Sequence, residues 1–239
     1  MKFAPEAWPF VVPAAAVGVV LTALREPRWA LAAFALALLL LLFFRDPRRR
    51  YAGPDRAVLS AADGLITAVD RVAAPEVGPG EFERVVTFLS VFDVHVQKTP
   101  VAGRVIVSRH APGRKLAAYH EAAGEVNEQH LTVIETPAGD RVAIRQIAGL
   151  LARRVVCYLR EGQTVGRGEP MGLIKFGSRV DVLVPEGRYR LGVARGDRLK
   201  NGLSVIAQPV EDSAAAGESA AAEDETAAQS AAAAEGRPR

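Results

Sequence analysis

Two runs without a single charged residue dominate the first 44 positions, "WPFVVPAAAVGVVLTAL" (8–24) and "WALAAFALALLLLLFF" (29–44). Their 17 and 16 residues correspond to about 24–26 Å of α-helix, slightly short of a hydrocarbon core of roughly 30 Å. The connector "REPR" has only four residues, so the runs are expected to form a helical hairpin. A cleaved leader does not fit, because no small-residue cleavage site follows the first run and a second run comes at once. Trp8 and Trp29 suit a membrane interface. After Tyr51 the pattern changes to short runs rich in Val and Ile, broken by Gly and Pro every eight to twelve positions. "GLITAVDRV", "RVVTFLSV", "HVQKTPVAGRVIVSRH", "HLTVIETP", "RVAIRQIAG", "MGLIKFG", "RVDVLVP" and "LSVIAQPV" read as strands of a mainly β (α+β) domain, barrel-like or sandwich-like. "GRKLAAYHEAAGEVNEQ" is the one helical or loop insertion. From residue 211 the chain is Ala/Glu-rich, without an apolar face, and is expected to be disordered. The division is thus 1–50 hairpin and basic flank, 51–210 folded domain, 211–239 tail.

Composition adds two constraints. The formal net charge of +3 is too small to argue for a nucleic-acid partner, but Arg45, Arg48, Arg49 and Arg50 cluster directly after the second apolar run. That placement suits an anionic lipid surface, and the excess over the connector puts the domain on the cytoplasmic side of the cell membrane. A hairpin dipping into one leaflet satisfies the same pattern. The single cysteine, Cys157, excludes an internal disulfide and a cysteine-cluster metal site.

The four histidines, His95, His110, His120 and His130, have no helical His-Glu-x-x-His spacing, so no metal site is expected. No serine lies in a Gly-x-Ser-x-Gly elbow; Ser178 is followed by Arg179 and Val180. The block "REGQTVGRGEPMGLIKFGSRVDVLVPEG" has the cadence of a biotinyl- or lipoyl-type carrier barrel. Its hairpin turn offers Gly177 and Ser178, however, and Lys175 sits inside the preceding strand. Residue types and spacing alone therefore leave three classes open: a membrane-anchored carrier or binding module, a serine hydrolase, and an enzyme that uses Ser178 in another way.

"GLIKFGSRVDVLVP" closely resembles the self-cleavage segment of the short bacterial and archaeal phosphatidylserine decarboxylase proenzymes, members of the pyruvoyl-dependent decarboxylases. "FFRDPRR", "SAADGLI", "FLSVFDVHV", "PGRKL", "NEQ" and "IAGLLARRVVCY" agree in the same order, so the resemblance runs from about 43 to 210. It implies a self-processing enzyme that converts phosphatidylserine in the membrane to phosphatidylethanolamine and CO₂. The electron sink would be a covalent pyruvoyl group made from Ser178 after cleavage of the bond from Gly177. Fragments 1–177 and 178–239 would stay associated as a heterodimer, with a homo-oligomer left open. The resemblance carries two charge-relay positions over to Asp63 in "AADGLI" and His95 in "VFDVHV". Asp93 and His120 are secondary candidates, the first as an orienter of His95 and the second as a proton donor. Arg179 is a candidate headgroup contact. This chain departs from the larger members three residues after His95, where Lys98 replaces a second histidine.

Overall fold

The computed structural model describes residues 1–114, 116, 123–149, 154–175 and 178–210. Gly177, His120 and the tail 211–239 lie outside the described residues. Residues 1–208 form one compact unit.

The chain opens with β1 (Lys2–Phe3) and a short 3-10 turn, followed by helices α1 (Trp8–Ala23) and α2 (Pro27–Phe43) and by β2 (Arg45–Asp46). The helices pack side by side because Gly18 lets the ring of Phe34 approach closely; a Cβ there would lie 2.8 Å from that ring. Trp8, Phe10, Val12, Val19, Trp29, Leu31, Leu38 and Leu39 are exposed around the pair. The stretch Pro5–Ala23 is long and apolar enough to cross a membrane, and α2 is shorter. Pairing of β1 with β2 closes the stem of the hairpin.

The body is built from strands. β3 (Val58–Leu59), β4 (Gly64–Ala73), β5 (Glu81–Leu89), β6 (Val96–Lys98) and β7 (Gly103–Ala111) precede a single-turn helix, α3 (Ala123–Val126). Then follow β8 (Gln129–Glu135), β9 (Arg141–Ala148), β10 (Val155–Cys157), β11 (Thr164–Val165), β12 (Pro170–Ile174) and β13 (Ser178–Pro185). β14 (Tyr189–Leu191), β15 (Arg198–Leu199) and β16 (Val205–Pro209) complete the order. Eight strands make the main sheet in the order β11-β7-β8-β9-β13-β5-β4-β15, beside three-stranded sheets β10-β12-β6 and β14-β16-β3. The mainly β architecture matches the alternation in the sequence. One expected strand is divided: "HVQKTPVAGRVIVSRH" becomes β6 and β7, interrupted around Pro100, which cannot donate to a ladder.

The largest apolar cluster gathers Ile66, Val85, Leu89, Ile134, Ile144, Met171, Ile174, Val180 and Val182. A second cluster matters more for the site. Ala4, Ala7, Phe43 and Phe44 from the hairpin base pack against Val94, Val96 and Leu173 of the body. The hairpin is therefore joined to the domain by a shared core.

Candidate functional site

β13 lies inside the main sheet, and Ser178 is its first residue. The main chain of Ser178 is paired on one side with Leu89 of β5 and on the other with Ala148 of β9. Strand alternation puts Ser178 on the face of Val180, Val182 and Val184, which belong to the main core, and turns Arg179 and Asp181 to the opposite face. Ser178 is 0% exposed, and its Oγ has no hydrogen-bond partner. A hydroxyl left in that condition costs about 1–3 kcal/mol, so the fold keeps Ser178 in this place at a cost in stability.

His95 is equally enclosed. Its Nδ1 lies 2.9 Å from the carbonyl oxygen of Asp93. A carbonyl can only accept, so the proton is on Nδ1 and Nε2 carries a free lone pair. Nε2 is buried and has no hydrogen-bond partner. The ring packs on Phe43 with centroids 4.0 Å apart. Burial lowers the imidazole pKa to about 4, against smaller opposing contributions from the Asp93 carbonyl and carboxylate. His95 is therefore neutral near pH 7, with its basic nitrogen available. Val96 pairs with Leu173, so His95 runs beside Ile174, four residues before Ser178. Among the described residues, Ser178 Oγ is a donor without an acceptor and His95 Nε2 an acceptor without a donor; no hydrogen bond joins the two.

Asp63 is buried at the entry to β4. Its carboxylate takes both arms of Arg49 and the backbone N–H of Asn201 at 2.8 Å. Asn201 in turn donates from Nδ2 to the carbonyl of Val96 at 2.6 Å. Asp63 is thus connected to the residue after His95 through Asn201, without a hydrogen bond to His95 itself. Gly64 follows because a side chain cannot: its φ is +149°, and a Cβ would lie 2.2 Å from the carbonyl oxygen of Phe88. The Asp93 carboxylate is occupied by the N–H and hydroxyl of Ser90, at 2.8 and 2.7 Å. Asp93 orients His95 through its main-chain carbonyl. Lys98, where the larger family members carry a second histidine, is buried with Nζ 3.3 Å from Asp46.

The expectation for Arg179 is corrected. It is 7% exposed, and its guanidinium forms a two-armed pair with Asp181, both contacts at 2.7 Å. Those two side chains share one face of β13, so they meet across the strand rather than at a lipid surface.

Two residues not singled out in the sequence join the site. Gln97 donates to the carbonyl of His95 at 2.8 Å, and Gln146 donates to Gln97 Oε1 at 2.9 Å. Gln146 lies opposite Val180 in the β9–β13 ladder, hence on the face of Ser178, and its own Oε1 is buried without a hydrogen-bond partner. The signal was present in "RVAIRQIA": alternation puts Gln146 in line with Val142, Ile144 and Ala148, a polar residue in an inward-facing row.

Residues 36–207 match the family model described as phosphatidylserine decarboxylase. A phosphatidylserine decarboxylase proenzyme of Symbiobacterium thermophilum is 42% identical over 205 residues, covering 85% of this chain and 94% of that protein. One from Nitrosomonas europaea is 40% identical, covering 86% and 94%. One from Geobacter sp. is 39% identical over 173 residues, covering 72% and 78%.

Proposed function

The chain belongs to the phosphatidylserine decarboxylase family, and on that premise we propose that it is a proenzyme that cleaves itself before Ser178 and then decarboxylates phosphatidylserine to phosphatidylethanolamine. Ser178 Oγ, deprotonated with the help of His95 Nε2, attacks the carbonyl carbon of Gly177. The peptide C–N bond breaks as the amine takes up a proton, which leaves residues 1–177 attached through an ester to the Ser178 side chain. Loss of the Ser178 α-proton then expels the Gly177 carboxylate and creates a Cα=Cβ double bond. Tautomerisation and addition of water release ammonia and leave a pyruvoyl group as the first residue of fragment 178–239.

The observation that supports this reading most directly is the pair of buried, unpartnered atoms: a hydroxyl at the first position of a strand locked on both sides, and a neutral imidazole approaching along β6. Leu89 and Ala148 would hold the group through their main chains. When formed, a pyruvoyl carbonyl supplies the electron sink that natural side chains lack. The chain's own contribution to turnover is to exclude water around Ser178, to hold His95 by the Asp93 carbonyl and Phe43, and to offer Nε2 as the proton-carrying atom. Asp63, Arg49 and Asn201 act as positioning residues for the strand that carries His95. The substrate is a membrane lipid, the hairpin is the membrane-embedded element, and the exposed Arg48 and Arg50 of the basic flank face the cytoplasmic headgroups, whereas Arg49 is committed to Asp63.

Intact-mass measurement on the purified protein tests the proposal. The expected result is two fragments divided between 177 and 178, the smaller lacking a free amine and reacting with a carbonyl reagent. Ser178→Ala is expected to remain one chain of about 25.5 kDa and to release no CO₂. A wild-type protein that remains one chain yet decarboxylates the lipid overturns the mechanism.

A further inference from the structure

A second apolar feature lies outside the hairpin, in the turn between β5 and β6. The Asp93 N–H donates to the carbonyl of Ser90 at 3.0 Å, while the Asp93 carboxylate takes the N–H and hydroxyl of Ser90. This closed turn holds Val91 and Phe92 at its tip, 45% and 76% exposed. Among the described residues no large apolar side chain is more exposed than Phe92, those of the hairpin included. A phenylalanine exposed to that degree gains almost no burial from folding.

Arg45 fixes where that tip points. Its Nη1 donates to the carbonyl of Leu42, in the last turn of α2, at 2.7 Å, and its Nη2 donates to the carbonyl of Phe92 at 2.6 Å. The same guanidinium thus caps the end of the apolar helix and grips the turn, which sets Phe92 level with the point where the chain leaves the hairpin. One residue further on, the Asp93 carbonyl holds the imidazole of His95.

We propose that the turn of Val91 and Phe92 inserts into the lipid bilayer beside the hairpin and forms a second membrane contact directly attached to the catalytic histidine. This rests on the reading of the hairpin as membrane-embedded and of the substrate as a membrane phospholipid. The occupant is a lipid surface for three reasons: Arg45 ties the apolar tip to the end of the apolar helix α2; that same cation lies between them, where lipid phosphates would meet it; and the Ser90 N–H, the Asp93 N–H and the Phe92 carbonyl already have partners within the protein, which lowers the cost of immersion. The consequence is that His95 is held at headgroup depth, where the serine moiety of the substrate resides, so the lipid reaches the site sideways without leaving the bilayer.

The test uses the full chain carrying Trp8→Phe, Trp29→Phe and Phe92→Trp, bound to phosphatidylcholine vesicles containing phosphatidylserine, with or without bromine on the acyl chains near the glycerol. The introduced indole is expected to emit at shorter wavelength than in water and to be quenched by the bromines. In the otherwise unaltered protein, Phe92→Ser is expected to lower turnover on vesicles roughly tenfold relative to turnover on the same lipid in detergent micelles. A protein that floats with the vesicles while its indole stays water-like overturns the proposal and leaves the hairpin reading intact. One that does not float at all overturns both. Equal losses on vesicles and micelles, or a detergent-solubilised dimer that Phe92→Ser converts to monomer without any quenching, assign the turn to the site itself or to a second copy of the chain, and overturn it as well.

Discussion

His95 combines three properties that rarely coincide: a fixed tautomer, a vacant Nε2 and a pKa held at about 4 by burial. An unfolded histidine takes up its proton near pH 6.5, whereas folded His95 resists it until about pH 4. Between those values the unfolded chain binds more protons, so stability is fully present above about pH 6.5 and declines as the pH falls toward 4. His130 is shifted the same way by burial, with a smaller contribution from His110, and adds to the same acid loss. Chemistry and stability therefore separate. If Nε2 is the base for cleavage, the acid limb of self-processing lies well below the usual histidine range, and newly made precursor shifted to pH 5.5 is expected to process at a rate close to that at pH 7.5. Gel densitometry after a pH jump measures this. An acid limb centred near 6.5 would transfer the role to an exposed group. His95→Gln, which keeps the volume but not the basicity, is expected to slow processing by 10²-fold or more, within the usual range for a general base. Asp63 leads to a different expectation. Its partners are Arg49 and Asn201, so Asp63→Ala leaves the partly buried Arg49 without its carboxylate, although the Asn201 oxygens still accept from it, and is expected to cost about 2–3 kcal/mol. Thermal or urea unfolding reads that loss, and the acid limb of processing should stay where it was.

At the scale of elements, β13 would let the chain remain one molecule after the proposed cut before Ser178. Its residues from Ser178 to Val184 are buried, and it pairs with β5 and β9, both from the upstream fragment. β15 pairs with β4, and β16 with β3. Every one of these ladders crosses the cleavage point. The two fragments are therefore expected to co-elute on size exclusion in detergent and to separate only in denaturant; dissociation under native conditions would contradict the observed sheet order. The strand pattern itself was legible in the sequence, because "RVDVLVP" and "RVAIRQIAG" alternate as strands must. What pairs with what was not. Asp63 and Asn201 are 138 residues apart, and the chain Asn201–Val96 that supports His95 joins a turn to a strand edge by one side-chain hydrogen bond. No periodicity carries that information. Arg179 illustrates the converse: as a charged residue in an apolar strand it resembled a solvated or ligand-binding group, and only the two-residue spacing to Asp181 on one strand face satisfies it internally.

The hairpin changes how the whole molecule should behave. A tethered anchor would be joined to its domain by a linker and could be altered without consequence. Here Phe43 packs on His95, Phe44 is 1% exposed, Tyr158 donates to Glu6 at 2.8 Å, and Lys175, just before the cleavage segment, has Nζ 5.2 Å from the centre of the Phe10 ring. On the body side of this seam, Val96 and Leu173 belong to the paired strands β6 and β12, and Val94 lies just before His95. Phe44 stacks on Phe10 and meets Phe43 edge to face, and among the described residues it has no ring contact with His95, so it is the cleanest probe of the seam. Phe44→Ala removes a large side chain from a closed cluster and is expected to cost about 3–5 kcal/mol. Because β6 and β12 lean on that cluster, precursor should accumulate in the same variant even though both helices remain apolar. Phe44→Leu, which refills most of the volume, should recover processing. The measurement is the ratio of precursor to cleaved chains in the membrane fraction, with flotation confirming that insertion is unchanged. Complete processing in Phe44→Ala would show that the hairpin is only a tether. Accumulated precursor reversed by leucine would establish that the base of the apolar hairpin sets the geometry around Ser178 and His95 on which processing depends.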